Sequence, residues 1–296
     1  MRALGNYMMR GRGHAIAVIS LLTMLSLLLP PFTYVLSGAP VALVSLRRGA
    51  VIGMQVILGS LAVIAVLCYP AGINPVLAPA FGVSVWLPVW LCAGALRLSA
   101  SQAVLVMTAG GLGGLFVLFM RLLVHDVTGW WRSWFAAWGK DYLPADAAAR
   151  YQAVLDTAMP MMNAMMASGL VVSLILTLLL ARWWQSLLFN PGAFREEFHA
   201  LRLPRAMLGV VVAVTVLSLA PLGLDPALFR DLLVILVFLY LFQGVAAVHR
   251  TVHQRGWSAG WLAGMYLMLL LLPQMVLFIA CIGLADAWLG GPKPGS

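Results

Sequence analysis

The feature that most constrains this chain is a succession of apolar runs with arginines at their ends. Runs at 51–68, 76–96, 103–123, 161–180, 207–222, 232–248 and 261–288 carry almost no charge. They have about the length, roughly 20 residues, that a helix needs to cross a hydrocarbon core. No stretch alternates with period two, which excludes a membrane β-barrel. A further apolar stretch over 15–46 is split by Pro30-Pro31. Proline removes a backbone donor and clashes with the preceding turn, so these halves read as two short crossings or as a re-entrant hairpin. The expected fold is all-α: a polytopic transmembrane helix bundle of about 8–9 membrane segments, including the proline-broken first pair.

Composition points the same way. Of 296 residues, 63% are hydrophobic and 9% are charged, whereas a soluble domain carries about 25% charged residues. Too few polar side chains exist to cover a water-facing surface. A soluble enzyme, a disordered chain and a nucleic-acid-binding domain are thereby excluded. The net charge of +9 would suggest nucleic acid in a soluble protein. Here the basic residues flank apolar runs and serve as topology anchors.

With the N-terminus cytoplasmic, Arg47, Arg48, Arg97, Arg182, Arg205 and Arg255 fall inside. Most acidic residues then fall outside, and so do Asp286 and the C-terminus. The chain is expected to be a multi-pass protein of a bacterial inner (plasma) membrane. A single integral domain covers 1–289 and a short tail covers 290–296. The arginine-flanked run at 15–29 has the look of a secretion signal. Its one small-residue site, Ser37-Gly38-Ala39, precedes Pro40, which would block cleavage, so the segment is expected to be retained.

Two polar segments interrupt the runs. On the outer side, 125–160 places Trp130, Trp134 and Trp138 on one helical face, as in a helix lying at the headgroup level. An aromatic platform for a ring ligand is the alternative. On the cytoplasmic side, 190–205 places Phe194, Phe198 and Leu201 on one face, with Arg202 among the charged residues opposite. This amphipathic segment is a candidate docking surface for a partner. The expected partners are membrane lipid and a separate membrane or ATPase protein, not nucleic acid.

Chemistry-bearing motifs are absent. There is no Walker A sequence, HExxH, GxSxG or carboxylate pair, so the chain is not expected to be an enzyme. Asp286 with His125 is the one combination that would reopen that class. His249 and His253 are spaced for one helix face, but lie beside Arg250 and Arg255, which repel a metal ion. The pairs Met161/Met165 and Met162/Met166 read as adaptable packing. No metal and no cofactor are expected. Cys68, Cys92 and Cys281 stand singly in apolar runs. GxxxG spacing at Gly49/Gly53, Gly110/Gly114 and Gly260/Gly264 suggests close helix packing within the chain. The deep polar groups are amides: Gln55, Gln102, Asn163, Gln243 and Gln274. They either tie helices together or line a pocket for a neutral ligand. Gln243 and Gln274 are the preferred ligand-binding pair, with Asn163 as a third candidate.

Several short motifs resemble those of the YybS-like bacterial membrane proteins, a family defined by a domain of unknown function. They are Arg48-Gly49, Phe194-Arg195-Glu196, Arg202-Leu203-Pro204-Arg205, Phe242-Gln243-Gly244, Arg255-Gly256-Trp257 and Gly283-Leu284-Ala285-Asp286. That family looks similar to the substrate-binding S components of energy-coupling-factor vitamin transporters and to the cell-shape protein MreD. The resemblance implies a helical bundle with broken helices near a binding cavity, without an established substrate. It departs at the first helix: small residues four apart are not kept, Ala15 being followed by Ile19 and Ala17 by Leu21. The expected function is solute binding or transport without an ATPase of its own, or alternatively an MreD-like scaffold of the cell envelope.

Overall fold

The computed structural model describes residues 2–26, 33–69, 74, 76–142, 155–220 and 225–290. The Pro30-Pro31 break and the Trp138 side chain lie outside the described residues. All regular structure among the described residues is helical. The helices are α1 (Arg2–Met8), α2 (Arg12–Ser26), α3 (Thr33–Arg48), α4 (Ala50–Cys68), α5 (Leu77–Phe81), α6 (Leu87–Ser99) and α7 (Gln102–Leu123). They continue as α8 (Val127–Tyr142), α9 (Met162–Phe189), α10 (Ala193–His199), α11 (Ala206–Leu219), α12 (Pro226–Gln254), α13 (Gly260–Leu271) and α14 (Met275–Leu289). Among the described residues, five stretches are long and apolar enough to cross a membrane: Ala50–Cys68, Ala78–Ser99, Gln102–Leu123, Leu155–Phe189 and Pro226–Gln254. The protein is therefore a membrane helix bundle, as its apolar runs require.

Where one integral domain over 1–289 is expected, the helices gather into two compact units. The first comprises 1–109, 172–202 and 249–255. Here α2, α3, α4 and α6 pack together. Glycines allow the closest approaches: Gly38 lies against Thr177 and Val89, and Gly53 against Ser45 and Trp90. Gly49, expected to pair with Gly53 on a helix face, instead forms the joint between α3 and α4, with φ of 96°. Only glycine adopts that conformation without a steric penalty. A π-helical turn, Gly82–Trp86, joins α5 to α6 and carries the fully buried Trp86. The hydroxyl of Tyr34 donates to the Ser84 carbonyl in this turn.

The second unit comprises 110–171, 203–248 and 256–296. Gly110 packs on Leu239, and Gly113 on Val171 and Ile235. The run 261–288, expected as one crossing, is broken into α13 and α14. Pro273 cannot donate to the helix ladder, and Leu272 before it is extended, with φ of −124° and ψ of 98°. The Arg205 guanidinium donates to the Trp288 carbonyl at 3.1 Å. The end of α14 thus lies on the Arg205 side, and the expected placement of Asp286 on the opposite side is corrected. The physical reason is the break: a split run need not cross once.

Arginines read as topology anchors have a second role, because the last carbonyls of a helix lack partners. Arg97 donates to the Leu46 carbonyl near the end of α3 at 2.9 Å, Arg48 donates to Met9 just past α1, and Arg250 donates to His199 at the end of α10 at 2.8 Å. Each places a cation where the helix dipole is negative.

Candidate functional site

In the second unit, an aspartate sits where apolar side chains are expected. Asp231 lies on α12 and is 0% exposed. It continues the buried face carrying Ile235, Leu239, Phe242 and Ala246. Leaving an ionised carboxylate in such surroundings without partners would be very costly. Two partners are supplied. The Arg121 guanidinium, in the last turn of α7, donates to Asp231 Oδ2 at 3.0 Å. The Asn163 amide, at the start of α9, donates to the same oxygen at 2.8 Å. Arg121 also bonds Asp225 at 2.8 Å. Asp225 in turn accepts the Ala227 N–H at 2.9 Å and so caps α12. Arg230 reaches Asp231 Oδ1 only at 3.9 Å, beyond hydrogen-bonding range, and donates instead to the Pro160 carbonyl at 2.6 Å.

Three buried polar atoms in this cluster have no partner among the described residues: Asp231 Oδ1, Asn163 Oδ1 and Arg121 Nε. Each such group costs about 1–3 kcal/mol. The cluster therefore offers two acceptors and one donor, shut off from water. α8 lies beside it. Val127 and Trp131 of α8 pack on Met159 and Met162, and Met120 and Val124 join them. Met120 and Met162 are the sequence neighbours of Arg121 and Asn163. Trp130 and Trp134 point outward, as the four-residue spacing predicts, and Arg132 pairs with Asp156 at 3.1 Å.

A second polar cluster belongs to the first unit. The ring of His199, at the end of α10, lies 5.3 Å from that of His253 and 6.5 Å from that of His249. Burial first, and then the nearby His253, Arg195 and Arg250, push the His199 pKa below its usual value. The described residues hold no group of three or more His, Cys, Asp or Glu arranged to bind a metal. An apolar cleft of about 110 Å³ in the second unit is lined by Val211, Leu236, Tyr240, Leu277, Cys281 and Leu284 among others. It presents almost no polar surface to orient a ligand.

Residues 16–287 match the family model described as a predicted membrane protein, DUF2232. The chain belongs to the DUF2232 family. No curated protein matches it, and no solved structure does. The DUF2232 match spans both polar clusters, and it carries no assigned activity.

In this DUF2232 protein the candidate ligand-binding amides are scattered. Asn163 lies in the Asp231 cluster. Gln243 is fully buried but engaged twice: its Oε1 accepts the Leu203 N–H at 3.1 Å, and its Nε2 donates to Asp286 at 3.0 Å. Gln274 stands exposed at the break before α14. The docking face also differs from expectation. α10 ends at His199, short of Leu201. Phe198 is 9% and Leu201 1% exposed; Phe198 meets the His249 ring edge-on at 5.5 Å and stacks on Phe194 at 5.9 Å. Arg202 is exposed. Arg121 and Asp231 are residues that sequence reasoning did not single out as site residues. The signal available for Asp231 was its place in the apolar series through positions 235, 239, 242 and 246.

Proposed function

We propose that this protein binds a small polar solute as part of a transport process across a bacterial inner membrane, with its N-terminus in the cytoplasm. Arg121, Asn163 and Asp231 form the polar part of the binding site. The observation that carries this reading is the buried Asp231 and the three unpartnered polar atoms around it. Ionisable residues inside membrane spans commonly mark a solute or ion path. The two acceptors suit a ligand with hydrogen-bond donors, and Arg121 Nε suits an acceptor on the same ligand. No nucleotide-binding motif is present, so uphill transport would draw on a separate ATPase partner. The resemblance to S components supports the same reading by analogy.

A scaffold role has less support, because Phe198 and Leu201 are turned into the protein rather than offered to a partner. Native mass spectrometry of the protein released from mild detergent tests the proposal. The wild-type protein is expected to carry a small polar molecule that Asp231→Asn loses, and a deletion strain is expected to lose uptake of that molecule. Both proteins emerging empty, with uptake intact, would overturn it.

A further inference from the structure

The apolar cleft of the second unit holds one group that its surroundings do not explain. Its walls come from α11, α12 and α14. Tyr240, on α12, is the one lining residue with a hydroxyl. It is 2% exposed, and that hydroxyl has no partner among the described residues. A buried O–H without an acceptor is a standing cost, and hydrocarbon supplies no acceptor to relieve it. The rim of the cleft faces outward: Leu277, Cys281 and Leu284 of the α14 wall are exposed. α11, which contributes Val211, has no buried residue. A molecule dissolved in the lipid therefore reaches the cleft from the side. Depth limits what that molecule is. Tyr240 is the middle residue of α12. With α12 across the membrane, roughly 15 Å of hydrocarbon, half of the core, lies between Tyr240 and either boundary. Phospholipid esters and charged headgroups lie at those boundaries, out of reach of the hydroxyl. No charged side chain lines the cleft, so the part of the molecule held there is neutral.

We infer that the cleft binds a neutral, hydrocarbon-soluble molecule with a carbonyl in its buried part, an alkyl ketone or alkyl quinone in chemical class, and that the Tyr240 hydroxyl donates to the carbonyl oxygen. The apolar walls hold the hydrocarbon part, and the single donor fixes its orientation, the usual division of labour in a small-molecule site. The size is suitable. The cleft encloses about 110 Å³, against ~150 Å³ for an apolar cavity that stays dry and takes up benzene. It therefore holds one small ring or a short length of chain, and the remainder lies along the exposed Leu277 and Leu284 in the lipid. This inference does not depend on the proposed transport function, because Arg121, Asn163 and Asp231 are not among the lining residues.

The test places the full chain in phosphatidylethanolamine and phosphatidylglycerol vesicles with methyl nonyl ketone carrying a terminal diazirine. After illumination the cross-linked peptides are mapped by mass spectrometry, with unlabelled methyl nonyl ketone or undecane as competitor. Wild type is expected to be labelled within 233–240 and 277–284, the cleft segments of α12 and α14. The ketone is expected to compete about tenfold more strongly than undecane, equivalent to about 1.4 kcal/mol. Tyr240→Phe keeps the ring and removes only the hydroxyl, so the two competitors are expected to become equal. That hydroxyl has no partner among the described residues, so the variant is expected to fold, and a melting temperature near that of wild type checks this. Leu284→Trp fills the cleft from its exposed wall and is expected to abolish labelling of both segments. Equal competition in wild type means that lipid tails cover the cleft and overturns the inference. So does a Tyr240→Phe protein that keeps the preference, or labelling that avoids both segments or survives Leu284→Trp.

Discussion

Replacing Arg121 with alanine lowers the unfolding free energy by about 3–5 kcal/mol, because it leaves the Asp231 carboxylate buried without its countercharge. Asp231 is 0% exposed, so water cannot stand in for the lost guanidinium. Among the described residues, Asn163 would remain as the donor to Asp231, at 2.8 Å. The double variant Arg121→Met with Asp231→Leu regains most of the loss, since a buried ion pair exchanged for apolar groups of similar volume is often neutral or stabilising. Asp225 loses a partner in both cases, but it is exposed and that contact is worth little. Thermal unfolding in detergent reads the difference. A single variant as stable as wild type, or a double variant no better than the single, contradicts the burial of this pair.

Replacing Gly283 with valine has an effect of comparable size for a steric reason. A Cβ at Gly283 would strike the Tyr240 carbonyl and the Gly244 nitrogen, and one at Gly244 would strike the Ile279 carbonyl. Backbone atoms cannot rotate aside as a side chain can. α12 and α14 would have to separate, which also strains the Gln243–Asp286 bond of 3.0 Å. A loss of about 3 kcal/mol is expected, at the upper end of the usual range for overpacking. Gly264→Ala is the matched control: nothing lies within 4 Å of the added carbon. Alanine there is expected to be neutral or to stabilise α13 by about 0.5–1 kcal/mol, through its higher helix propensity. Equal melting temperatures for Gly283→Val and Gly264→Ala would contradict the close crossing of α12 and α14.

The long spans were legible because hydropathy is a property of a single helix. The apolar run at 103–123 becomes α7, with bounds of Gln102–Leu123, almost unchanged. Features that depend on two helices were not legible. Asp231 lies six residues into α12, close enough to the end to reach water on an isolated helix. Only the arrival of Arg121 and Asn163 from α7 and α9 buries it. Gly244 and Gly283 touch across two helices, so no spacing along one helix reveals them, whereas the spaced pair Gly49/Gly53 includes a joint. The periodicity of Phe194, Phe198 and Leu201 says that these side chains are apolar and regularly spaced, but not what covers them or where the helix ends. At 261–288 the apolar composition hid a helix end that Pro273 announces through backbone chemistry alone.

α12 is long enough to cross the lipid, with Asp231 near its start and His249 and His253 near its end. At about 1.5 Å per residue, its 29 residues exceed the roughly 30 Å hydrocarbon core. Single cysteines at Asp225→Cys and Gln254→Cys, in a chain whose Cys68, Cys92 and Cys281 are changed to serine, measure this directly. With a membrane-impermeant maleimide added to spheroplasts, position 225 should label at once and position 254 only after permeabilisation. Labelling of both positions from the same face would contradict the account.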